Sequence, residues 1–325
     1  MRLNLFCTRL NKGVTRIRIS EVGERHLMKT LFVTYGSHSN YLEAAIRLSE
    51  QVKKTKVFDK IIVLDDSKLI NISPYWRSWN KRMQELDAPG RYRQAGKTFL
   101  MKYVFSDLRT EFDVVMYADP GCEMPNNFIS NMRLKSLLRG AYNFGGIAEQ
   151  LDYLEYMYTK EALLKFIGDR ADIRNTGQIQ ATWFILKNNS VNFDLINKWL
   201  KLTDPNLGLW QDPSERERMS QSPGFIDHRR DQSIFSLLWK EFLLPVKAPY
   251  WEFGARVGAI RGLIEPIHTS RNKSGASNLP KFHENKFLAI IGLLVSFVAS
   301  STRFLRRNKY DKKISIRTTK SQWTQ

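Results

Sequence analysis

Three polar clusters in the sequence combine residue types that could carry out chemistry. The first contains Asp119 and Glu123 and directly follows an apolar run over residues 114–117. This run is long enough for a buried strand and too short for a helix. The two carboxylates are therefore predicted at the carboxyl end of a strand, where open α/β sheets bind ligands. They would suit a hard divalent cation that carries phosphate oxygens, and a polar turn without a ligand is the alternative.

The second cluster lies where a predicted helix over residues 228–242 begins. It contains Asp227, His228, Asp231 and Gln232 beside an apolar helix face. Because a helix N-terminus favours anionic side chains, Asp231 could simply be a first-turn capping residue. The density of carboxylate, amide and imidazole groups equally suits a binding or catalytic site, so both interpretations stay open for this cluster alone.

The third cluster combines His268 with two cations, Arg271 and Lys273. An imidazole could ligate a metal ion, and the two cationic side chains could bind phosphate groups. A lone histidine is more often structural or exposed, so this interpretation depends on the cluster lying close to the other two.

The apolar pattern around these clusters predicts the elements that position them. A strand over residues 29–35, a helix over 41–54 and a strand over 59–64 form a βαβ unit, which predicts a parallel sheet. A helix over 96–108 precedes the central strand, and residues 178–186 read as another buried strand.

Three further segments complete the predicted body of the fold. Residues 126–139 are predicted to be helical, and residues 141–147 to form a strand. The polar stretch 204–227 has no apolar periodicity. A loop of this length in a compact domain is usually functional or disordered.

Charge is distributed unevenly along the 325 residues, whose net charge is +19. Residues 1–30 carry a net +5 and residues 281–325 a net +8, which leaves +6 for the rest. Cationic charge concentrated at the ends of a chain favours an anionic surface over a nucleic-acid groove as the partner. The two cysteines, Cys7 and Cys122, are too few and too far apart for a disulfide framework or a zinc site. Their number favours a reducing compartment.

The two ends of the chain are predicted to lie outside the folded body. Residues 1–27 lack an apolar core of signal-peptide length and read as a basic, disordered extension. Residues 28–275 form the predicted domain, and residues 276–325 a basic tail. In that tail the apolar run 287–299 is too short to span a bilayer, but as a helix it could lie in an anionic membrane interface. A helix packed on the core is the alternative.

Several segments, in chain order, resemble a family of bacterial-type nucleotide-sugar glycosyltransferases from surface-polysaccharide loci. They are VTYGSHSNY, YADPGCEMPNN, QIQATWFILKNN, FIDHRRDQSIFSLLWKE and IHTSRNK, and they extend over about residues 29–275. The usual family motifs are Asp-Ala-Gly-Cys-Glu and His-Arg-His-Asp-Gln-Ser. This sequence has Pro120 in place of the alanine and Arg230 in place of the second histidine.

The sequence is more distantly similar to retaining transferases of the GT-A fold, such as glycogenin and the lipooligosaccharide galactosyltransferases. This resemblance implies a GT-A-like (Rossmann-like) α/β fold, a single domain with a mixed, mostly parallel central sheet flanked by helices. It also implies Mn2+ or Mg2+ bound by Asp119 and His268. Gly121 stands where those enzymes have a second aspartate, so Glu123 is expected to replace it, or fewer protein ligands hold the metal.

The resemblance also implies roles for the remaining residues. Asp231 and Gln232 match an Asp-Gln pair near the reacting sugar, with Asp227 beside them. For inversion, Asp231 or Asp227 would be the general base. For retention, which the analogy favours, Gln232 could face the anomeric carbon. Residues expected to bind the nucleotide-sugar are Thr34, Tyr35, Gly36, Asp65, Asp66, Arg271, Lys273 and Lys97, the last of which could instead be a solvated helix lysine.

These features favour a hexosyltransferase that moves a sugar from a UDP- or GDP-linked donor to a glycan or lipid-linked acceptor in surface-polysaccharide synthesis. It would be cytoplasmic, peripheral at the inner face of the membrane, and without a nucleic-acid partner. One alternative is an inactive relative that binds glycans or nucleotide-sugars. The other is a nucleic-acid-binding protein, which the pI of about 9.9 suggests, although the sequence has no zinc-finger, RNP-type or basic-helix motif.

Overall fold

The centre of the fold is a mixed six-stranded sheet. The structure is a computed structural model, and it describes residues 28–37, 39–72, 76–78, 81, 95–247 and 265–269. Residues 1–27 and 276–325, including the apolar run 287–299, lie outside the described residues, so the predictions made for them stay predictions. The strands are β1 (Thr30–Gly36), β2 (Lys60–Asp65), β3 (Val114–Ala118), β4 (Gly146–Leu154), β5 (Gly177–Lys187) and β6 (Val246–Lys247).

The strand order β2-β1-β3-β5-β4-β6 places β3 and β5 in the middle of the mixed sheet, with β1 next to β3. β1 pairs in parallel with β2 and β3, and β4 pairs in parallel with β6. β5 runs antiparallel between β3 and β4. The predicted βαβ unit and the mixed, mostly parallel α/β sheet are therefore confirmed.

Helices cover both faces of this sheet. They are α1 (Ser39–Thr55), α2 (Asp66–Ile72), α3 (Gly96–Asp107), α4 (Phe128–Phe144), α5 (Glu155–Tyr158), α6 (Glu161–Phe166), α7 (Ala171–Arg174), α8 (Ser190–Leu202), α9 (Glu215–Arg218) and α10 (Arg230–Glu241). Apolar residues of α1 and α4 pack on one face of the sheet, and those of α3, α8 and α10 on the other. The central strands are buried on both faces, which is why β1 and β3 read as continuous apolar runs.

The structure corrects one predicted strand. Residues 141–147 were expected to be extended, but α4 continues to Phe144 and the strand begins only at Gly146. Ala141 continues the buried helical stripe of Leu134 and Leu138, so the helical period does not break at residue 139. Gly145 ends the helix with a φ of +94°, a conformation that glycine adopts without strain.

The polar stretch 204–227 is ordered rather than structureless. It contains a 3-10 turn (Pro205–Leu207) and α9, which begins with a capping box at Ser214. Trp210 is 1% exposed, and the ammonium of Lys160 donates hydrogen bonds to two carbonyl groups of this stretch. These contacts fix the stretch against the body of the fold, next to the start of α10.

The strand directions place the carboxyl ends of four strands at one edge of the sheet. β3 and β4 are both antiparallel to β5, so their carboxyl ends lie at the same edge as those of β1 and β2. β5 is irregular near this edge: a step of two residues on β4, from Ala148 to Gln150, matches a step of five on β5, from Phe184 to Ile179. Such bulges re-aim backbone groups and are frequent beside active sites. Among the described helices, no segment has the length and apolarity needed to cross a bilayer.

Candidate active site

A buried lysine joins two carboxylates from distant parts of the chain. Lys97, in the first turn of α3, places its Nζ 3.1 Å from Oδ1 of Asp119 and 2.7 Å from Oδ2 of Asp231. Asp119 directly follows β3, and Asp231 lies in the first turn of α10. The structure therefore brings together the first and second of the three polar clusters singled out in the sequence. We call these three residues the Lys97 cluster.

The role expected for Lys97 is wrong. Its ammonium has three N–H donors, and the third acceptor is the carbonyl oxygen of Ala181, 3.2 Å away. The side chain is 7% exposed, so Lys97 neither reaches out to a phosphate nor lies in solvent. Burial alone would lower the pKa of Lys97, but Asp119 and Asp231 outweigh that effect and raise it, so the ammonium stays charged.

The two aspartates keep acceptor capacity for a ligand. Both hydrogen bonds to Asp119 fall on Oδ1, and among the described residues no partner contacts its Oδ2. The Asp119 side chain is 32% exposed. Burial raises the pKa of Asp119, while Lys97 and a tyrosine hydroxyl oppose that rise. With one cation and two carboxylates, the Lys97 cluster carries a formal charge of about −1 when both acids are ionised.

Tyr117 contacts both Asp119 and Lys97, and the sequence analysis did not identify it as a site residue. Its hydroxyl donates a hydrogen bond of 2.6 Å to Asp119 Oδ1, and Lys97 Nζ lies 5.4 Å from its ring centroid. The ring stacks on Phe184 at 5.2 Å. The available signal was the strand period, because residues 117 and 119 point to the same side of an extended chain.

The irregularity of β5 supplies backbone acceptors at the same place. The Ala181 carbonyl binds Lys97, and the Thr182 carbonyl accepts a 2.7 Å hydrogen bond from the Asp119 amide. On the opposite face, Arg47 of α1 donates to the carbonyls of Pro120 and Cys122, 3.0 Å away in each case. The turn that carries Asp119 is therefore held from both faces of the sheet.

Gln232 lies in the same helix turn as Asp231 and is held by a neighbouring amide. Its Nε2 donates a 2.7 Å hydrogen bond to Oε1 of Gln178 on β5, and Gln178 Nε2 donates to the carbonyl of Tyr158. Asp227 is exposed, and its Oδ1 accepts a hydrogen bond from the His228 amide. Thus Gln232 has a fixed amide, whereas Asp227 lies at the surface before α10.

His228 has a structural position rather than a catalytic one. Its Nδ1 accepts from the Lys160 amide at 3.3 Å, and its Nε2 lies 3.0 Å from the Leu209 carbonyl. Burial, followed by the charge of Lys160, lowers the pKa of His228 to about 3. The imidazole is therefore neutral and donates through Nε2–H to Leu209, which ties the stretch 204–227 to α10.

The three expected metal ligands do not form one ligand set. Glu123 and His268 pair through their backbones, with N–H···O distances of 2.9 and 2.8 Å. Glu123 is 1% exposed. Burial lowers the pKa of Arg47, and the negative charge of Glu123 opposes that change. Within the described residues, no three His, Cys, Asp or Glu side chains are gathered as a metal site would require. Asp119, Glu123 and His268 therefore do not fit a divalent ion held by three protein ligands.

Five of the residues expected to bind the nucleotide-sugar lie together at the carboxyl ends of β1 and β2. The Tyr35 hydroxyl donates to Asp66 Oδ1, Gly36 is in register with Asp65, and the buried Thr34 hydroxyl has no hydrogen-bond partner among the described residues. Asp65 accepts from Ser67 and from the Lys68 amide at the start of α2. Arg271 and Lys273 lie outside the described residues.

Comparisons with known proteins identify weak structural likenesses. No protein-family model matches the chain, and no curated protein sequence matches it. The apo structure of the bifunctional glycosyltransferase WbbM aligns with a TM-score of 0.37 and 11% identity over 68% of this chain and 38% of that one. Apo mouse xyloside xylosyltransferase 1 aligns with a TM-score of 0.37 and 13% identity over 78% and 99%.

A third solved structure, the glycosyltransferase GlyE of Streptococcus pneumoniae TIGR4, aligns with a TM-score of 0.34 and 16% identity. That alignment covers 69% of this chain and 46% of GlyE, so the chain spans less than half of both WbbM and GlyE. At TM-scores this low, the three likenesses do not define the function of the chain.

Proposed function

We propose that the protein is a glycosyltransferase that moves a hexose from a UDP- or GDP-sugar to a glycan or lipid-linked acceptor in surface-polysaccharide synthesis. The observation that supports this most is the Lys97 cluster. Asp119 and Asp231 are 112 residues apart in the sequence, yet one buried ammonium holds both carboxylates. They lie at the sheet edge where α/β folds bind ligands.

The charge of the cluster suits the sugar rather than the diphosphate. Its formal charge of about −1 repels phosphate oxygens, whereas ionised carboxylates accept hydrogen bonds from sugar hydroxyls. Glycosyl transfer passes through an oxocarbenium-like state, whose positive charge a fixed anionic cluster stabilises. Asp119 and Asp231 are therefore assigned to the transferred sugar and Lys97 to their positioning.

The contacts of Asp231 favour retention over inversion. The Asp231 carboxylate is already engaged by the Lys97 ammonium at 2.7 Å, so it is poorly placed to take the proton of the acceptor hydroxyl. In retention, the bond from the anomeric carbon to the diphosphate oxygen breaks, the acceptor oxygen bonds on the same face, and its proton passes to the leaving diphosphate. Gln232, whose amide is fixed by Gln178, would then face the anomeric carbon. For inversion, Asp227 is the remaining base.

The nucleotide is assigned to the β1–β2 half of this edge. Thr34, Tyr35 and Gly36 end β1, while Asp65 and Asp66 follow from β2 into α2. Arg271 and Lys273 are proposed to bind the diphosphate, on sequence alone. We also propose that Mn2+ or Mg2+, held by fewer than three protein ligands, would stabilise the leaving diphosphate.

Association with the inner face of an anionic membrane is part of the same proposal. Its support is the sequence: net charges of +5 and +8 at the two ends of the chain and the apolar run 287–299. Basic flanks around an apolar segment are typical of interfacial attachment.

The experiment that tests the proposal is a screen of UDP- and GDP-sugars for donor hydrolysis, with and without manganese. Asp119→Asn is compared with Asp172→Asn, which changes an exposed aspartate on α7. We expect Asp119→Asn to lower turnover about 100-fold or more, the range for a lost electrostatic contact at a reacting centre, and Asp172→Asn to leave it unchanged. Equal turnover in both variants would refute the assignment.

A second candidate function is a relative that binds nucleotide-sugars without turnover. The observation that favours it is that Pro120, Gly121 and Arg230 depart from the motifs of the resembled enzymes in or beside the site. Calorimetric binding of a nucleotide-sugar by a wild-type protein that never consumes it would favour this candidate.

A further inference from the structure

One cation beside the Lys97 cluster has no role in the function proposed above. Arg229 precedes Asp231 by two residues, and its side chain is partly exposed. Among the described residues, no carboxylate lies within ion-pair distance of its guanidinium. The neighbouring Arg230, by contrast, donates to both oxygens of Asp212, at 3.1 and 2.7 Å.

Two tyrosine rings fix the Arg229 guanidinium. Its Cζ lies 4.4 Å from the ring centroid of Tyr153 and 4.7 Å from that of Tyr158, and the two centroids are 4.9 Å apart. The backbone is fixed as well, because the Arg229 amide donates to the Tyr158 carbonyl and to Ser233 Oγ. Stacking leaves the in-plane N–H donors of an arginine available. A fixed planar guanidinium without a carboxylate suits an incoming carboxylate or phosphate.

Arg230 accounts for the separate directions of these side chains. It has a φ of +43°, a conformation that residues other than glycine rarely adopt. The chain turns sharply there, so that Arg229 contacts the tyrosines, Arg230 contacts Asp212 and Asp231 contacts Lys97. Strained residues of this kind cluster at functional sites.

The position of the tyrosine pair indicates which substrate it would meet. Tyr153 lies near the carboxyl end of β4, at the same edge as Asp119, but on the side of β3 away from β1 and β2. Two strand spacings, about 10 Å in all, separate β4 from β3. An anion held there is therefore remote from the nucleotide half. The Gln232–Gln178–Tyr158 hydrogen bonds connect it to the reacting end of the site.

We propose that Arg229, Tyr153 and Tyr158 form a subsite for an anionic group of the acceptor. The inference rests on the proposed transferase function and names the substrate class at that site. The shared chemistry is an oxyanion bound by a planar guanidinium. Its source is either the diphosphate of a lipid-linked acceptor or the carboxylate of an acidic sugar.

The test is calorimetric binding to the full-length chain without turnover. The probes are farnesyl diphosphate, methyl glucuronide, neutral methyl glucoside and, for the donor side, UDP and GDP. Wild type is compared with Arg229→Gln, Arg229→Lys and a charge-matched control, Arg139→Gln, at an exposed site on α4. We expect the wild type to bind one anionic probe at least tenfold more tightly than methyl glucoside, and Arg229→Gln to lose that difference. Arg139→Gln should retain it.

The anionic probe that loses binding in Arg229→Gln identifies the source, lipid diphosphate or acidic sugar. Equal affinities of wild type and Arg229→Gln for both anionic probes overturn the proposal, and so does a tenfold loss confined to UDP or GDP. If Arg229→Gln fails to fold in a thermal melt, Arg229→Lys decides, because it keeps the charge but not the planar fork. An unchanged affinity in that variant also overturns the proposal. A wild type that consumes no nucleotide-sugar is a separate result, which refutes only the transferase function.

Discussion

At the scale of single residues, the burial of Lys97 is expected to dominate the stability of the site. Lys97→Met leaves the buried Asp231 and the partly exposed Asp119 side by side without their cation, and removing one partner of a buried ion pair costs about 3–5 kcal/mol. Urea unfolding measures the loss. Lys53→Met, at a surface lysine 57% exposed, is the matched control.

The double variant Lys97→Met/Asp231→Asn should recover part of the stability lost in Lys97→Met, because it removes one of the two unpaired carboxylates. Equal free energies of unfolding for Lys97→Met, the double variant and Lys53→Met would mean that the ion pairs contribute nothing to stability.

His228 is expected to make stability depend on pH. Its pKa is about 3 in the folded chain, mainly because of burial, and about 6.5 when unfolded. Since the unfolded chain binds the extra proton, stability is full above pH 6.5 and falls as the pH decreases toward 3. The slope is about 1.4 kcal/mol per pH unit. In His228→Gln, whose amide does not titrate, this slope should disappear between pH 6 and 4 in urea titrations; an unchanged slope would place its origin elsewhere.

One-dimensional signals, namely the end of an apolar strand and the start of a helix, were sufficient to single out Asp119 and Asp231 as candidate site residues. Their convergence on one site was implied by the resemblance to known glycosyltransferases. The contacts of the Lys97 ammonium could not be predicted in this way, because one of its acceptors is the backbone carbonyl of Ala181, 84 residues away. The prediction that Asp119, Glu123 and His268 share one metal ion was wrong for a related reason, because the burial of Glu123 cannot be read from its position after the strand.

At the scale of elements, the packing of α3 on β1 depends on Gly96. A Cβ atom there would lie 2.1 Å from Cε1 of Tyr35, so Gly96→Ala must displace the tyrosine ring and its hydrogen bond to Asp66. We expect a loss of about 1–3 kcal/mol in the free energy of unfolding, as for overpacked cores. We also expect weaker UDP or GDP binding in calorimetry, since Tyr35 is assigned to the nucleotide.

Gly140→Ala is the matched control for this substitution. Its Cβ would meet only the Cδ1 end of Ile147 closer than 3.0 Å, and the residue lies inside α4. Alanine is favoured over glycine in a helix by about 0.5–1 kcal/mol, so this variant should match or exceed the wild type in stability. Equal stability of the two variants would show that the Tyr35 contact adapts without cost.

Element existence followed from the sequence where the apolar period was unambiguous, as in β1, α1 and β3. The assignment failed between α4 and β4 because Ala141 and Tyr142 fit either element, and only tertiary packing decides between them. The irregularity of β5 was also not predictable. Residues 177–187 read as one continuous strand, and the shift becomes visible only in their pairing with β4.

At the scale of the whole molecule, the charges at the two ends of the chain are proposed to bring the protein to an anionic membrane surface. Residues 31–280 carry only +6 of the total +19, so a lipid-linked acceptor would be reached mainly through the ends. Each cationic side chain near an anionic bilayer contributes about 1 kcal/mol. A triple substitution in residues 281–325, Arg303, Arg306 and Arg307 to Gln, should therefore weaken binding to phosphatidylglycerol vesicles about 100-fold.

Vesicle co-sedimentation of the full-length chain measures this partitioning at two salt concentrations. The matched control replaces three exposed lysines of the folded body, Lys53, Lys54 and Lys56, with Gln. It removes the same charge, so a general electrostatic attraction would weaken both variants equally, whereas attachment through the tail weakens only the arginine variant. Binding to neutral phosphatidylcholine vesicles should be weak for all three proteins, and the wild-type preference for anionic lipid should decline as salt screens the charges. Equal losses in the two triple variants would contradict attachment through the tail and assign the membrane attraction to the net charge of the whole chain.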